Sequence, residues 1–173
     1  MSTPDAVQKR DETNPARDID LGEAMEFAWL EAELLDTHNY APWLALWTGP
    51  GLYVIPIDRD AADPAAVLNI VYDDQAMREA RVKRLVSGFS MSSAPAARTV
   101  RTVSRFRKVE AAPGVLTLRA AQHLVEYKYE RTRMLAADVT YRLVRSGAGL
   151  KLDQKVVRLI NSDDALHGIG YLL

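Results

Sequence analysis

The sequence predicts an α+β fold in which a cone-like, curved and mostly antiparallel sheet wraps around helices gathered near the N-terminus. Helical patterns are confined to the first half of the 173 residues, and from Arg98 onward long strand patterns follow one another through hairpin-type connections. Within Tyr40 to Asp58, a short helix that is apolar nearly all round needs an enclosure. The hollow of a curved sheet supplies one.

Residues 1–17 carry two prolines and no apolar periodicity, and read as a flexible arm ahead of a single domain over 18–173. Asp20 is the expected N-cap of a helix, with Glu23 three residues on completing a capping-box-like pair. Leu21, Met25, Ala28, Ala32 and Leu35 line one face of it, and Phe27, Leu30 and Leu34 widen that face. So broad an apolar surface predicts contact with two neighbours. The helix should end near His38-Asn39. Pro42 suits the first turn of a second helix, covered by Trp43, Leu44, Leu46 and Trp47. Gly49-Pro50-Gly51 is expected to stop it before a buried strand, Leu52 to Ile55.

Asp58 to Pro64 reads as a turn-rich loop and Leu68 to Tyr72 as a short strand. Asp74 then caps a helix over roughly 75–88, where Val82, Leu85, Val86 and Phe89 recur at i, i+3, i+4, i+7 with Arg78, Arg81 and Arg84 on the other side. Gly88 ends it, before a loop of small residues from Ser90 to Ala97. Residues 98–111, 115–130, 134–145 and 150–161 are the long strands, joined at Ala112-Pro113-Gly114 and at Ser146 to Gly149. The third alternates best: Leu135, Ala137, Val139, Tyr141 and Leu143 share a face, with Asp138, Thr140 and Arg142 on the other. In the second, Leu116 and Leu118 lie on one parity but Val125, Tyr127 and Tyr129 on the other, which predicts a bulge or a sharp bend. A similar slip falls near Val156-Val157, and the apolar close of the chain is expected to dock.

Composition is that of an ordinary soluble domain, 48% apolar and 26% charged with a net charge of −1. With no cysteine, the chain cannot hold disulfides, thiolate zinc, thiol nucleophiles or cysteine-bound iron–sulfur clusters. No apolar run approaches the roughly 20 residues of a membrane helix. No signal-peptide core is visible, so a cytoplasmic location is expected. Charge is strongly segregated: residues 1–37 carry three basic and ten acidic side chains, and residues 78–158 carry eighteen basic and six acidic. Acidic helices lying against a basic sheet, or a surface meant for an acidic partner, both account for that.

His38, His123 and His167 are the only histidines, and none sits at metal-ligand spacing from another. Neither a nucleophile elbow nor a phosphate-binding loop is present. A cone scaffold also suits acid–base chemistry, which needs a carboxylate in an apolar cavity beside a hydrogen-bond donor. Tyr53, Tyr72, Tyr127 and Tyr141 are candidate donors, whereas Asp138 points to the face opposite the core. Arg101, Arg105 and Arg107 share one strand parity and predict a basic surface row that pairs with acids of this or another chain. With no aromatic stacking face and no net positive charge, nucleic acid is not the expected partner.

Glu31 to Asp36 (EAELLD), Trp43 to Leu46 (WLAL), Tyr53 to Pro56 (YVIP) and Tyr72-Asp73-Asp74 recur in order. They are followed by Arg81-Val82 with Leu85 to Gly88, Arg98-Thr99 with Val103-Ser104, the strand KVVRLIN and Tyr171-Leu172-Leu173. In this order and spacing, residues 20–173 resemble the small (β) subunit of bacterial aromatic-ring-hydroxylating, Rieske-type dioxygenases. Two positions depart from that pattern: Thr48 to Gly51 lacks the acidic residue usual before the Tyr-x-x-Pro strand, and Arg105 stands where Asn is common.

The resemblance implies the nuclear transport factor 2-like, ketosteroid isomerase-like or cystatin-like cone. It further implies a structural, non-catalytic subunit of an oxidoreductase of aromatic compound catabolism, supplied with electrons by separate reductase and ferredoxin proteins. The Rieske cluster and mononuclear iron would belong to a large (α) subunit, leaving no cofactor in this chain. Three copies would assemble with three large subunits as a hetero-hexamer, with Arg101, Arg105, Arg107 and the first helix as contact surface. The alternatives are a stand-alone cone-fold isomerase or dehydratase acting on a hydrophobic small molecule, and a ligand-binding homo-oligomer without chemistry.

Overall fold

The computed structural model describes residues 17–87, 96–147, 149–164 and 169–173. Among them, helices α1 (Leu21–Asp36) and α2 (Tyr40–Ala45) precede strands β1 (Trp47–Pro56) and β2 (Asn69–Asp73). Helix α3 (Gln75–Val86) follows, then β3 (Arg98–Ala112), β4 (Val115–Lys128), β5 (Arg131–Ser146) and β6 (Gly149–Leu159). The six strands form one sheet in the order β2-β1-β6-β5-β4-β3, antiparallel throughout except for the parallel β1–β6 pair. This is the α+β arrangement the strand spacing predicts. The expected end of α3 at Gly88, Phe89, most of the loop after it, and residues 1–16 lie outside the described residues.

Asp20 caps α1, its carboxylate accepting from the Gly22 N–H at 2.8 Å. The stripe α1 buries is Ala24, Phe27, Ala28, Glu31, Ala32 and Leu35, a 3–4 repeat laid on the inner face of the sheet. Leu30, expected to widen that stripe, faces outward. From the sheet, Leu118, Leu124, Val139, Tyr141, Leu143 and Val157 meet the helix in one core. Trp43 of α2 is fully enclosed and packs edge-on against Trp47 at 5.4 Å and Tyr53 at 6.1 Å between ring centres.

Gly49-Pro50-Gly51 does not break the chain. β1 continues past it, pairing with β6 at Trp47–Leu152 and resuming at Leu52–Gln154, while β2 pairs only beyond Leu52. Residues 48–51 thus bow away from the ladder as a bulge, so the N–H that Pro50 lacks forfeits no pairing bond. A Cβ at Gly51 would lie 3.0 Å from the Leu152 carbonyl oxygen and 3.1 Å from the Trp47 ring, so a larger residue there needs the strand and the ring to give by a few tenths of an ångström.

β4 differs from expectation in an informative way. It pairs with β5 without a register shift from Val115 to Lys128, and burial alternates along its whole length. The irregularities lie in β3 instead, at Ser104–Arg107, where Arg105 has φ 54°, and at Lys108–Glu110. The parity change in β4 is a change of polarity at constant geometry: Gln122 and Glu126 point inward and are buried, Val125 and Tyr127 outward and exposed. In β6 the slip falls at Asp153, three residues before Val156, which turns Lys155 onto the inner face beside Tyr141. α3 packs through Val82 and Leu85, as the pattern predicts, and also through Arg78, which the pattern assigns to solvent. Arg78 and Val82 are its buried residues, and Val86 is exposed. The Arg78 guanidinium lies 4.3 Å over the Trp47 ring and donates to the Gly51 carbonyl, which the bulge leaves unpaired.

The β4–β5 hairpin turns on Tyr129-Glu130, both left-handed with φ 51° and 59°, in a two-residue loop that ordinarily takes Asn-Gly. Replacing Tyr129-Glu130 by Asn-Gly is expected to stabilise the chain by about 1–2 kcal/mol through relief of left-handed strain. The check is a raised urea midpoint at unchanged slope. A lowered midpoint would mean that the Tyr129 ring, 5.1 Å from the Lys128 ammonium, stabilises more than the strain costs.

Candidate functional site

Inside the cone lies a buried charged cluster. Glu31 reaches it because it falls in the buried stripe of α1, and Lys155 because the β6 bulge turns it inward; both are fully buried. The Lys155 ammonium donates to the Glu31 carboxylate oxygens at 2.7 and 2.8 Å and to the main-chain oxygen of Leu173 at 2.9 Å. Trp43 Nε1 donates to Glu31 Oε1 at 2.9 Å. Every ammonium proton and both carboxylate oxygens are therefore engaged. Burial lowers the pKa of Lys155, opposed by the neighbouring Glu31 carboxylate. Tyr141, whose ring centre lies 5.6 Å from Lys155, has its pKa raised, first by burial and then by Glu31.

The same interior holds the last three residues of the chain, each tied by a polar side chain. The Tyr171 hydroxyl donates to Glu126 Oε2 at 2.5 Å, an oxygen that also accepts from Arg133 Nε at 3.0 Å. Arg101 donates to the carbonyl of Leu172 and to Asp36 Oδ1. The Tyr53 hydroxyl accepts from the Leu173 N–H at 2.9 Å, and burial raises the Tyr53 pKa. A cavity of about 160 Å³ lies beside this segment, lined by Ile55, Ile70, Leu159, Tyr171 and Arg81 and, among the described residues, by no acidic side chain. Proton transfer to a bound molecule would need an unengaged acid or base facing such a space. Glu31 and Lys155 neutralise one another instead.

The three arginines read as one surface row do not form one. Arg101 has a side chain only 1% exposed and serves the core, because its strand position faces inward ahead of the β3 bulge. Asp36 receives it together with the Arg101 N–H and Thr99 Oγ1, both at 2.7 Å. Arg105, at the bulge, is exposed and donates to Asp138, whose carboxylate also faces Arg59 at 3.5 Å. Arg107 is exposed opposite Arg119. Asp138 is thus on the outer face, as its parity predicts. His123 is exposed, His38 lies at the end of α1 with φ 56°, and His167 lies outside the described residues. Among the described residues, no group of three or more histidine, aspartate or glutamate side chains is arranged to hold a metal ion.

At the mouth of the cone, the Arg145 guanidinium donates to both Glu23 oxygens, at 2.8 and 2.7 Å. That bond holds the Glu23 carboxyl below its ordinary 4.5. A depressed carboxyl stabilises the fold fully above its unfolded value and loses that contribution as pH falls through the folded one. Glu23→Gln is therefore expected to cost about 1–2 kcal/mol at neutral pH. The deficit relative to the unsubstituted chain should shrink as denaturation is followed below pH 4.5; a deficit independent of pH would contradict the pairing.

The chain as a whole has relatives among known proteins. Residues 30–163 match the family model described as ring hydroxylating beta subunit. The small subunit of 2-halobenzoate 1,2-dioxygenase from Burkholderia cepacia is 28% identical over 152 residues, 85% of this chain and 91% of that one. The crystal structure of the beta subunit of benzoate 1,2-dioxygenase from Burkholderia mallei superposes with a TM-score of 0.74 at 25% identity, over 89% of this chain and 98% of that one. An NTF2-like protein with a cystatin-like fold from Novosphingobium aromaticivorans shares the fold alone, with a TM-score of 0.57 at 12% identity over 82% of each chain.

Proposed function

The chain belongs to the ring hydroxylating beta subunit family, and from that premise we propose that it is the structural, non-catalytic small subunit of a multicomponent dioxygenase of aromatic compound catabolism. The observation that carries the non-catalytic part is the filled interior: Trp43, the Glu31–Lys155 pair and Tyr171 to Leu173 occupy the hollow where a cone enzyme would bind a substrate. In this reading the chain acts through its surfaces. It works in the cytoplasm beside a large subunit that holds the Rieske cluster and the mononuclear iron, three copies of each chain forming a hetero-hexamer. The absence of cysteine supports that division, since a Rieske centre needs two cysteines together with two histidines. Arg105, Arg107 and the outward side of α1 are the contact surface; Arg101, being buried, is not.

The test is co-expression with a dioxygenase large subunit encoded in the same genome, followed by gel filtration at low micromolar concentration. Co-elution with an iron–sulfur chromophore carried by the large chain is the expected result. Separation of the two chains would refute the reading.

A further inference from the structure

The cavity of about 160 Å³ beside the closing segment takes its walls from three parts of the fold. The sheet supplies Ile55, Ile70, Val71 and Leu159, and the closing segment supplies Ile169 and Leu172. Tyr53, Tyr171 and Arg81 of α3 also line it. Close-packed interiors leave few voids larger than a water molecule. An apolar space of about 150 Å³ stays dry and takes up benzene. The polar members of this wall are tied back by their own bonds and do not fold inward to fill the space. The Tyr53 hydroxyl is held by Leu173, donating to its main-chain oxygen at 3.1 Å and accepting from its N–H at 2.9 Å. The Tyr171 hydroxyl is held by Glu126. Arg81 is held side-on by Asp73, through Nε at 2.5 Å and Nη2 at 2.9 Å. Its Nη1 is left without a partner among the described residues. Ile70 is 41% exposed and the Arg81 side chain 28%, so the space meets solvent on their side.

We propose that this cavity is a binding site for a neutral, single-ring aromatic molecule carrying one small hydrogen-bond acceptor. The volume matches one benzene ring and leaves no room for a second. Branched aliphatic walls enclose the ring, and the Tyr53 and Tyr171 rings offer it edge-to-face contact. Arg81 Nη1 is the donor that the acceptor meets, at the end of the cavity open to water. Charge selects a neutral ligand. Asp73 already cancels the Arg81 charge and no other cationic side chain among the described residues lines the space, so a carboxylate on the ring would lie there uncompensated. With no acidic side chain among the lining residues, the ligand is held and not transformed. The inference goes beyond the structural-subunit reading and does not depend on assembly with a large subunit.

The test is calorimetric titration of the full chain with benzonitrile, benzene, benzoate and naphthonitrile. Benzonitrile is expected to bind one-to-one with a dissociation constant below about 1 mM. Benzene, lacking the acceptor, is expected to bind about tenfold more weakly, and benzoate and naphthonitrile not measurably. Val71→Phe fills the cavity from the sheet, and Ile70→Trp covers it from a half-exposed position that leaves the core untouched. Each is expected to weaken benzonitrile at least tenfold. Asp73→Val/Arg81→Met removes both charges together and is expected to bring benzonitrile down to the affinity of benzene, with benzene unchanged. Failure of benzonitrile to bind the wild-type chain would overturn the site. So would wild-type affinity in either filled variant once circular dichroism shows it folded. Benzoate binding as tightly as benzonitrile, or a nitrile preference that survives loss of Arg81, would overturn the assigned ligand class. Chemical conversion of bound benzonitrile would refute the non-catalytic reading and leave the site standing, whereas failure to assemble with a large subunit would refute that reading without touching any of these titrations.

Discussion

Lys155→Met is expected to destabilise the chain by about 3–5 kcal/mol, the cost of leaving a buried carboxylate without its counter-charge. Glu31 has no exposure to water, and without Lys155 its remaining donor is Trp43 Nε1 at 2.9 Å. The carboxyl must then protonate or drag water into the core, and the main-chain oxygen of Leu173 loses its partner as well. Glu31→Met alone strands the ammonium in the same way. The two changes together remove both charges and both desolvation costs, so the double variant should recover most of the loss. What stays lost is the bonding to Trp43 and Leu173, about 1 kcal/mol each. Urea denaturation of the four proteins in the cycle measures the coupling directly. A loss below about 1 kcal/mol for Lys155→Met would show that the pair is not isolated from water.

Much of this cluster lies where pattern-reading is weakest. The four long strands were legible because alternation in β5 assigns Leu135 to Leu143 inward with no ambiguity, and hairpin turns bound each strand. Glu31 sits between Phe27-Ala28 and Leu35 on one helical stripe, a position that signals burial, but a charge there is ordinarily read as the edge of the polar face. Lys155 has inner parity only after the one-residue bulge at Asp153; the parity slip near Val156-Val157 signals an irregularity in this strand but not the residue at which it falls. The Gly-Pro-Gly misreading has the same root. Gly and Pro usually interrupt pairing, whereas here they occupy a segment that bows out of the ladder, and Thr48 Oγ1 anchors it to Asp153 Oδ1 at 2.9 Å. In α3, Arg78 is buried because an aromatic ring and free carbonyls lie beneath it, partners that only the folded chain brings together. The outer apolar patch was visible as the parity change in β4, but its cause was an uncovered surface and not a bend.

Removing Tyr171, Leu172 and Leu173 is expected to be at least as damaging as Lys155→Met, and for more than one reason. Three buried side chains would leave a void in the core; deletion of a single large apolar side chain already costs about 2–5 kcal/mol. Glu126 would lose the Tyr171 hydroxyl, Arg101 the Leu172 carbonyl, and Lys155 and Tyr53 their bonds to Leu173. The marginal stability of a domain this size, about 5–15 kcal/mol, would be largely consumed. The truncated chain should therefore denature at much lower urea and bind a dye specific for exposed apolar surface. This experiment also separates a structural cone from a catalytic one. If the closing segment were a plug over a working site, truncation would open a stable cavity and leave the denaturation midpoint nearly unchanged. If the segment is part of the core, stability falls, and restoring Tyr171 and Leu172 alone recovers only part of it, because Lys155 still faces Glu31 without its third acceptor. The chain of bonds that runs from Tyr53 to Leu173, from Leu173 to Lys155 and from Lys155 to Glu31 favours the second outcome, since the closing segment completes it.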